Sequence, residues 1–132
     1  MYMLDTDTCI YILKNRSDKL RHKFNAIKNI GISSITYGEL CYGIENGEPS
    51  LKKERRNQLN MFTQRLYIEP WDESVGQPYG LIRTHLSREG NLIGNNDLLI
   101  AAHAFSLGAV LVTNNVREFG RVPDLTVENW LE

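Results

Sequence analysis

Short apolar runs alternate with amphipathic stretches in the first third of the chain, and each pair predicts a strand followed by a helix. Tyr2–Leu4 is an apolar run that stops at residues 5–8, where Asp and Thr side chains suited to capping precede a stretch with helical spacing. Residues 31–35 predict the next strand. Thr36 is the expected cap of the helix that follows, which places Glu39 in its first turn.

After a loop at residues 45–50, residues 51–66 predict an exposed amphipathic helix, because apolar side chains recur at helical spacing among many charges. A short strand is predicted at residues 67–71. The next helix ends at Gly90. Pro78 must lie in the first turn of that helix or kink it, because an interior proline costs about 3 kcal/mol.

The last third of the chain contains its most apolar segments. A helix over residues 97–107, capped by Asn95 or Asn96, is apolar almost all round and is therefore expected to be the most buried one. Residues 109–113 predict a buried strand, and residues 125–130 an edge strand. The repeated order of strand and helix favours an α/β fold with a mainly parallel sheet covered by helices on both faces.

Length and apolar content indicate one compact domain over residues 1–132, since 42% of the side chains are apolar. The longest apolar runs are far shorter than the ~20 residues that cross a bilayer. Asp5 interrupts the opening apolar run, which is therefore not expected to be the apolar core of a signal peptide. Cys9 and Cys41 lack metal-binding spacing and predict buried free thiols. We therefore expect a cytoplasmic protein without a membrane segment.

The net charge is −1, from 15 basic and 16 acidic side chains, whereas many nucleic-acid-binding proteins have a strong basic excess. A local basic patch is compatible with this total, because a metal-bound acidic centre would offset basic charge elsewhere. The candidates for contacts to nucleic-acid phosphates are Arg55, Arg56, Arg65, Arg83 and Arg88. The alternative for these residues is an ordinary solvated helix face.

Polar side chains at the ends of predicted strands are the candidates for chemistry. Asp5 follows the first strand, Glu39 and Asp97 are placed in first helical turns, and Asn115 and Glu118 follow a late strand. Ligands of parallel sheets bind outside the carboxyl ends of the strands, so these residues are expected to converge. Gathered carboxylates must share protons or hold a cation, and oxygen donors suit Mg²⁺ or Mn²⁺. A metal-activated water fits phosphodiester hydrolysis.

Each of these residues also has a purely structural interpretation. An acid at a helix start is commonly a cap, and Asp97 after two asparagines could simply finish a capping turn. For Asp7, the N-cap of the first helix is favoured over a direct ligand role. His103 lies among apolar residues and is expected to be a hydrogen-bonded core or interface group rather than a catalyst.

Four distinctive stretches span nearly the whole chain. They are MLDT at residues 3–6, SSITYGEL at residues 33–40, IGNNDLLIAAHA at residues 93–104 and LVTNNVREF at residues 111–119. In this order they resemble the signature segments of VapC toxins, a family of PIN-domain ribonucleases. The two later stretches are the most specific.

The resemblance implies a PIN fold, which is an α/β/α sandwich around a parallel sheet. It further implies a homodimeric Mg²⁺-dependent endoribonuclease that a VapB antitoxin neutralises. By the same resemblance, Asp5 and Asp97 are the principal metal ligands and Glu39 completes the acidic triad. Enteric relatives that the sequence resembles cut initiator tRNA in its anticodon stem-loop, which makes that tRNA the expected substrate.

The chain departs from the family pattern at three positions. Asp7 stands where the family usually has Asn, which adds negative charge beside Asp5. Many PIN domains have a fourth acid near Asn115, so that here the amide or Glu118 must take its place. Pro78 occupies a position that ordinarily holds a good helix former.

Two other functions remain open at the level of sequence. Asp5 and Asp7 after an apolar strand also fit a haloacid-dehalogenase-like phosphatase, with one acid as nucleophile and the other as general acid. Cys9 stands where that family has Thr or Val, and a covalent aspartyl-phosphate at Asp5 would identify this class. A non-catalytic module could instead bind a basic partner in the acidic cleft, in which case metal would be irrelevant.

Overall fold

A five-stranded sheet forms the centre of the molecule. The structure, a computed structural model, describes residues 1–131. The strands are β1 Tyr2–Leu4, β2 Ile30–Ser33, β3 Tyr67–Glu69, β4 Val110–Val112 and β5 Val127–Glu128. They lie in the order β3-β2-β1-β4-β5, and every neighbouring pair is parallel. The predicted α/β fold with a parallel sheet is confirmed.

Seven α-helices lie within the described residues. They are α1 Thr6–Leu13, α2 Asp18–Ala26, α3 Ser34–Glu45, α4 Lys52–Thr63, α5 Gly76–Arg88, α6 Asn95–Ser106 and α7 Val116–Phe119. Short 3₁₀ turns at Pro49–Leu51 and Glu73–Val75 precede α4 and α5. None of the helices in this range is long and apolar enough to cross a membrane.

Each face of the sheet is covered by its own apolar core, because successive strand residues point to opposite faces. Met3 and Leu111 pack in a cluster with α5 and α6, whereas Leu4, Ile32 and Val112 pack in a cluster with α1 to α4. Six residues of α6 are buried, more than in any other helix of the described chain, as its apolar pattern predicted.

The hydrophobic pattern did not predict α2. Only Leu20 and Phe24 of its nine residues are buried, so its apolar stripe is too narrow to stand out among the surrounding charges. A local start signal is present, since the Ser17 hydroxyl accepts the N–H of Leu20 at 3.1 Å.

The predicted start of α3 is wrong. Ser33 is the N-cap, and its hydroxyl accepts the N–H of Ile35 at 3.1 Å, whereas Thr36 is buried inside the helix. The helix begins directly where the pairing of β2 with β3 ends. Glu39 therefore lies in the second turn of α3 and not in the first.

The start of α6 differs from the prediction, and the start of α5 shows which of the two placements of Pro78 is correct. Gly94 holds the N-cap position of α6, so that Asn95 and Asn96 are inside the first turn together with Asp97. Pro78 is the third residue of α5 and thus lies in its first turn, the first of the two placements expected from the sequence, where proline is tolerated.

The two cysteines are free, as expected, but they differ in burial. Cys9 is buried in the core. The prediction of a buried thiol is wrong for Cys41, which is only partly buried because it lies at the contact of α3 with α4, where Arg56 donates to its Sγ at 3.4 Å.

Candidate functional site

Asp5 lies at the end of β1 and caps α1. Its N–H donates to the carbonyl of Val112 at 3.0 Å, and its Oδ1 accepts the N–H of Thr8 at 2.9 Å. Burial raises the pKa of its carboxyl group, although hydrogen bonds from Thr113 and Thr8 oppose the shift. The predicted preference for Asp7 as the cap is wrong, because Asp5 makes the capping bond and Asp7 is exposed in the first turn.

Glu39 connects α1, α3 and α6 through its two carboxylate oxygens. Its Oε1 accepts the hydroxyl of Thr6 at 2.6 Å, and its Oε2 accepts the side-chain amide of Asn96 at 3.0 Å. Thr6 is adjacent to Asp5, and Asn96 is adjacent to Asp97. Glu39 is therefore held beside both segments even though it lies a turn further along α3 than expected.

Asp97 and Glu118 form a carboxyl pair near the starts of α6 and α7. The pKa of Asp97 is raised to about 7, first by burial, then by the hydrogen bond and charge of Glu118, and then by the charges of Asp5 and Glu39. Burial alone would raise the pKa of Glu118 too, but hydrogen bonds from Asn115 and Asp97 lower it. Below about pH 7, the proton of this pair therefore lies on Asp97.

Two further donors fix Glu118. The N–H of Gly94 donates to Oε1 at 3.3 Å, and the side-chain amide of Asn115 donates to Oε2 at 2.9 Å. The backbone N–H of Asn115 in turn donates to the hydroxyl of Thr113 at 2.9 Å. The acid that the chain places near this strand end is thus Glu118, and Asn115 orients it.

The structure brings Asp5, Glu39, Asp97 and Glu118 to one acidic cluster at the carboxyl edge of the sheet. Three polar neighbours that hold this cluster were not among the predicted site residues. They are Thr6, Asn96 and Thr113. Two of them directly adjoin a predicted acid, which is the one sequence signal that could have found them.

The donor chemistry of the cluster fits a hard divalent cation, because every candidate ligand is a carboxylate or amide oxygen. Among residues 1–131, no group of three or more His, Cys, Asp or Glu side chains is already arranged to hold a metal ion. The carboxylates instead bond to one another and to nearby donors, as the Asp97–Glu118 and Glu39–Thr6 contacts show. A cation would have to displace the shared proton.

His103 connects the helices that bear these acids, and it is the hydrogen-bonded core group that the sequence predicted. It is 1% exposed, and its Nδ1 lies 2.8 Å from the Ser33 hydroxyl, which caps α3. The ring also bonds to the backbone of Pro70, whose only polar backbone group is its carbonyl, so a ring N–H donates there. At Nδ1, the neutral ring therefore accepts a hydrogen bond from the Ser33 hydroxyl.

We expect this contact to make the protein less stable in mild acid. Burial lowers the pKa of His103, against the opposing charges of Glu69 and Asp72. The unfolded chain then binds the proton more readily, so the free energy of unfolding falls as the pH drops below about 6.5. Thermal unfolding between about pH 7 and pH 5 should show this loss for the Asp97→Asn protein and a smaller loss for Asp97→Asn/His103→Gln.

Both proteins contain Asp97→Asn, because titration of the carboxyl pair would change stability in the opposite direction over the same pH range. Glutamine in place of His103 retains a hydrogen-bond donor and an acceptor but does not titrate. Equal pH dependence of the two melting temperatures would contradict the role assigned to His103.

Comparisons with known proteins agree with this architecture. Residues 2–125 match the PIN domain family. The chain is 42% identical over 133 residues to Ribonuclease VapC2 of Rickettsia felis, with 98% of each chain covered. It is 43% identical over 131 residues to the tRNA(fMet)-specific endonuclease VapC of Salmonella typhimurium, covering 98% and 97% of the two chains. The DNA-bound VapBC structure from Salmonella typhimurium superposes with a TM-score of 0.92 at 40% identity, covering 98% and 97%.

Proposed function

The chain belongs to the PIN-domain family of VapC ribonucleases, and from that premise we propose that it is a Mg²⁺-dependent endoribonuclease that cuts initiator tRNA in the anticodon stem-loop. The proposal treats residues 1–132 as one domain acting in the cytoplasm, where its substrate is found. The phosphatase and the non-catalytic module are not retained, because the full-length relatives are ribonucleases.

The observation that supports metal-dependent catalysis best is the raised pKa of Asp97. Three other carboxyl groups act on it, so the acidic cluster holds a proton up to about pH 7 where a cation would be more favourable. Asp5 and Asp97 would hold the metal, with Glu39 and Glu118 completing its surroundings. A bound Mg²⁺ supplies a water of lowered pKa and positive charge at the leaving oxygen.

The chain's own residues contribute orientation. Asp5 is fixed by hydrogen bonds from Thr8 and Thr113, which give its carboxylate a defined direction. Glu39 is held by donors on Thr6 and Asn96, and Glu118 by donors on Gly94 and Asn115, which allows both carboxylates to orient water for attack on a phosphate. Burial of Asp5 keeps the centre partly shielded from bulk water, which strengthens these interactions.

Two relatives motivate the proposed substrate and partners. The Salmonella typhimurium relative, 43% identical, is named as specific for tRNA(fMet), and the solved relatives from Rickettsia felis and Salmonella typhimurium are VapBC complexes bound to DNA. We therefore propose that this chain is a toxin neutralised by a VapB-type antitoxin and that it forms a homodimer. A basic side chain of the antitoxin would face the acidic cluster in place of the cation, because the cluster requires positive charge.

Purified protein freed of antitoxin should cut very few species in total RNA, with initiator tRNA the main one, when Mg²⁺ is present. EDTA should stop cleavage, and restored Mg²⁺ or Mn²⁺ should return it, because the oxygen donors suit either ion. Mapping of the cleaved ends would locate the scissile bond. Cleavage that persists in EDTA would reject the metal, and fragments spread over many RNAs would reject the substrate.

A further inference from the structure

Residues 70–72 connect β3 to the 3₁₀ turn before α5, and they contact both α3 and α6, two of the helices that bear the acids. The backbone N–H of Trp71 donates to the hydroxyl of Ser34 at 3.0 Å, and the indole Nε1–H of Trp71 donates to the carbonyl of Leu99 at 3.0 Å. Ser34 is the first residue of α3, and Leu99 lies in α6. Trp71 therefore links the two helices through two directed hydrogen bonds.

Both bonded residues lie close to an acid of the cluster along their helices. Leu99 follows Asp97 by two residues, which is about 3 Å along the axis of α6. Ser34 precedes Glu39 by five residues, which is about 7.5 Å along α3. Neither stretch contains a proline that would kink the helix, so each acid moves together with the residue that Trp71 bonds.

The indole ring of Trp71 has a fixed orientation. Trp71 is partly buried and packs against the apolar core that α5 and α6 share. Its ring lies edge-on to that of Tyr79 in α5, with the centroids 6.0 Å apart and the planes at 78°. Because an indole has a single donor and no acceptor, this packing directs its N–H to the Leu99 carbonyl.

A second link runs beside the first. A ring N–H of His103 in α6 donates to the backbone of Pro70, and the His103 Nδ1 lies 2.8 Å from the hydroxyl of Ser33, the cap of α3. His103 is fully buried, whereas Trp71 is only partly buried. The Trp71 link can therefore be broken by a change that leaves the buried core intact.

The links oppose a force that acts to separate α3 from α6. The charge of Glu39 is one of those that raise the pKa of Asp97, which shows that the two carboxylates repel each other across the helix pair. Apolar packing holds helices together without direction and does not by itself fix their spacing. Hydrogen bonds with defined partners do.

We propose that Trp71 is a positioning residue, which sets the spacing of Glu39 and Asp97 by linking α3 to α6 and thereby sets the affinity of the acidic cluster for a divalent cation. The proposal rests on the metal-dependent function proposed above. Mg²⁺ requires near-ideal octahedral geometry, so a small change in the spacing of its carboxylates should weaken its binding. Trp71 acts through the helices, because its hydrogen bonds within residues 1–131 go to Ser34 and Leu99 and not to an acid.

The proposal can be tested by metal binding in the absence of RNA. Trp71→Phe removes the indole N–H and keeps an aromatic ring against Tyr79, and Ser34→Ala removes the acceptor at the other end of the link. Calorimetric titration with Mn²⁺ at about pH 8, where Asp97 is ionised, should show an affinity about tenfold lower for each variant. Since either change breaks the same link, the double variant should lose no more affinity than the weaker-binding single variant.

The same variant should show a defined defect in cleavage. At limiting Mg²⁺, kcat of Trp71→Phe should fall by about the same factor as its metal affinity, with an unchanged KM for RNA. Saturating Mg²⁺ should restore kcat, because the carboxylates that bind the metal are all present.

Two variants are the controls. Tyr79→Phe keeps the ring that packs on Trp71, and Ile82→Val loses a methyl group in the same apolar core, where Ile82 is buried. Both should bind Mn²⁺ as the wild-type protein does, although Ile82→Val should melt at a lower temperature. If Trp71 served the fold alone, Trp71→Phe would resemble Ile82→Val.

Wild-type Mn²⁺ affinity in the folded Trp71→Phe protein, or losses that multiply in the double variant, would overturn the positioning role. A wild-type protein that binds no Mn²⁺ would reject the metal-dependent function together with that role. Binding of Mn²⁺ that follows the expected pattern without any RNA cleavage would support the positioning role and reject only the ribonuclease function.

Discussion

An Asp97→Asn variant should lose RNA cleavage by roughly 10³-fold and, in the absence of metal, unfold at a higher temperature than the wild-type protein. Cleavage falls because the variant removes one of the two proposed metal ligands and a negative charge that would hold the cation. The opposite effect on stability arises because the same carboxyl group is crowded by three other acids in the metal-free protein. A residue that only supported the fold would lower both.

The stability gain depends on pH. The pKa of Asp97 is raised from 3.8 to about 7, so the folded protein binds this proton more tightly than the unfolded chain does. The free energy of unfolding therefore falls as the pH rises from about 4 to about 7. Asp97 is half-buried, and solvent screening reduces the effect to about 1 kcal/mol above neutral pH. Asparagine donates an N–H to Glu118 in place of the shared proton.

Thermal unfolding with EDTA should place the Asp97→Asn midpoint about 3–5 °C above wild type near pH 8 and level with it near pH 4. Added Mg²⁺ should raise the midpoint of the wild-type protein but not that of the variant, because ligand binding stabilises only a protein that binds it.

Asp124→Asn is the matched control for this variant. Asp124 is exposed and adopts a positive φ of 62°, a conformation that asparagine also tolerates. The control should leave cleavage and the response to Mg²⁺ unchanged. Wild-type cleavage by Asp97→Asn, or a lower midpoint in EDTA, would reject the role assigned to the acidic cluster.

The strands and the most buried helix could be predicted because their signals are local. Tyr2–Leu4 and Val110–Val112 lie in continuous apolar runs, and a central parallel strand needs apolar residues on both faces. Asp5 could be placed at the end of its strand for the same reason. The order of the strands in the sheet requires tertiary contacts, and no local pattern of the sequence indicates it.

The helix starts were less predictable because several capping residues compete within a few positions. Ser33, Ser34 and Thr36 all have suitable hydroxyl groups, and the end of the β2–β3 pairing selects Ser33. Because Ser33 rather than Thr36 caps the helix, Glu39 lies most of a turn further from the helix start than predicted. Glu39 still reaches the acidic cluster, because its position depends on hydrogen bonds from Thr6 and Asn96, which lie 33 and 57 residues away in the sequence.

The edge segment predicted at residues 125–130 contains the short strand β5, and the side chain that anchors it is Trp130. Trp130 is 1% exposed, its ring centroid lies 5.4 Å from that of Tyr2, and its Nε1 donates to Glu128 at 3.1 Å. The backbone carbonyl of Glu128 accepts the N–H of Thr113 at 2.9 Å, and the side chain of Thr113 bonds to Asp5. Packing at the end of the chain therefore supports the strand end beside the acidic cluster.

Replacing Trp130 with alanine should lower the free energy of unfolding by about 3–5 kcal/mol, because it removes a large buried side chain and leaves a cavity. This is a large share of the roughly 5–15 kcal/mol that stabilises a typical domain, so chemical denaturation should show a much lower midpoint. Trp130→Phe, which keeps an aromatic ring against Tyr2, should lose less stability.

Leu81→Ala is the control, because Leu81 is 65% exposed and its truncation should change stability by no more than about 0.5 kcal/mol. If the Trp130→Ala and Leu81→Ala proteins denature at the same midpoint, Trp130 does not anchor β5, and the strand end beside Asp5 must be held by the backbone pairing of β4 with β5 alone.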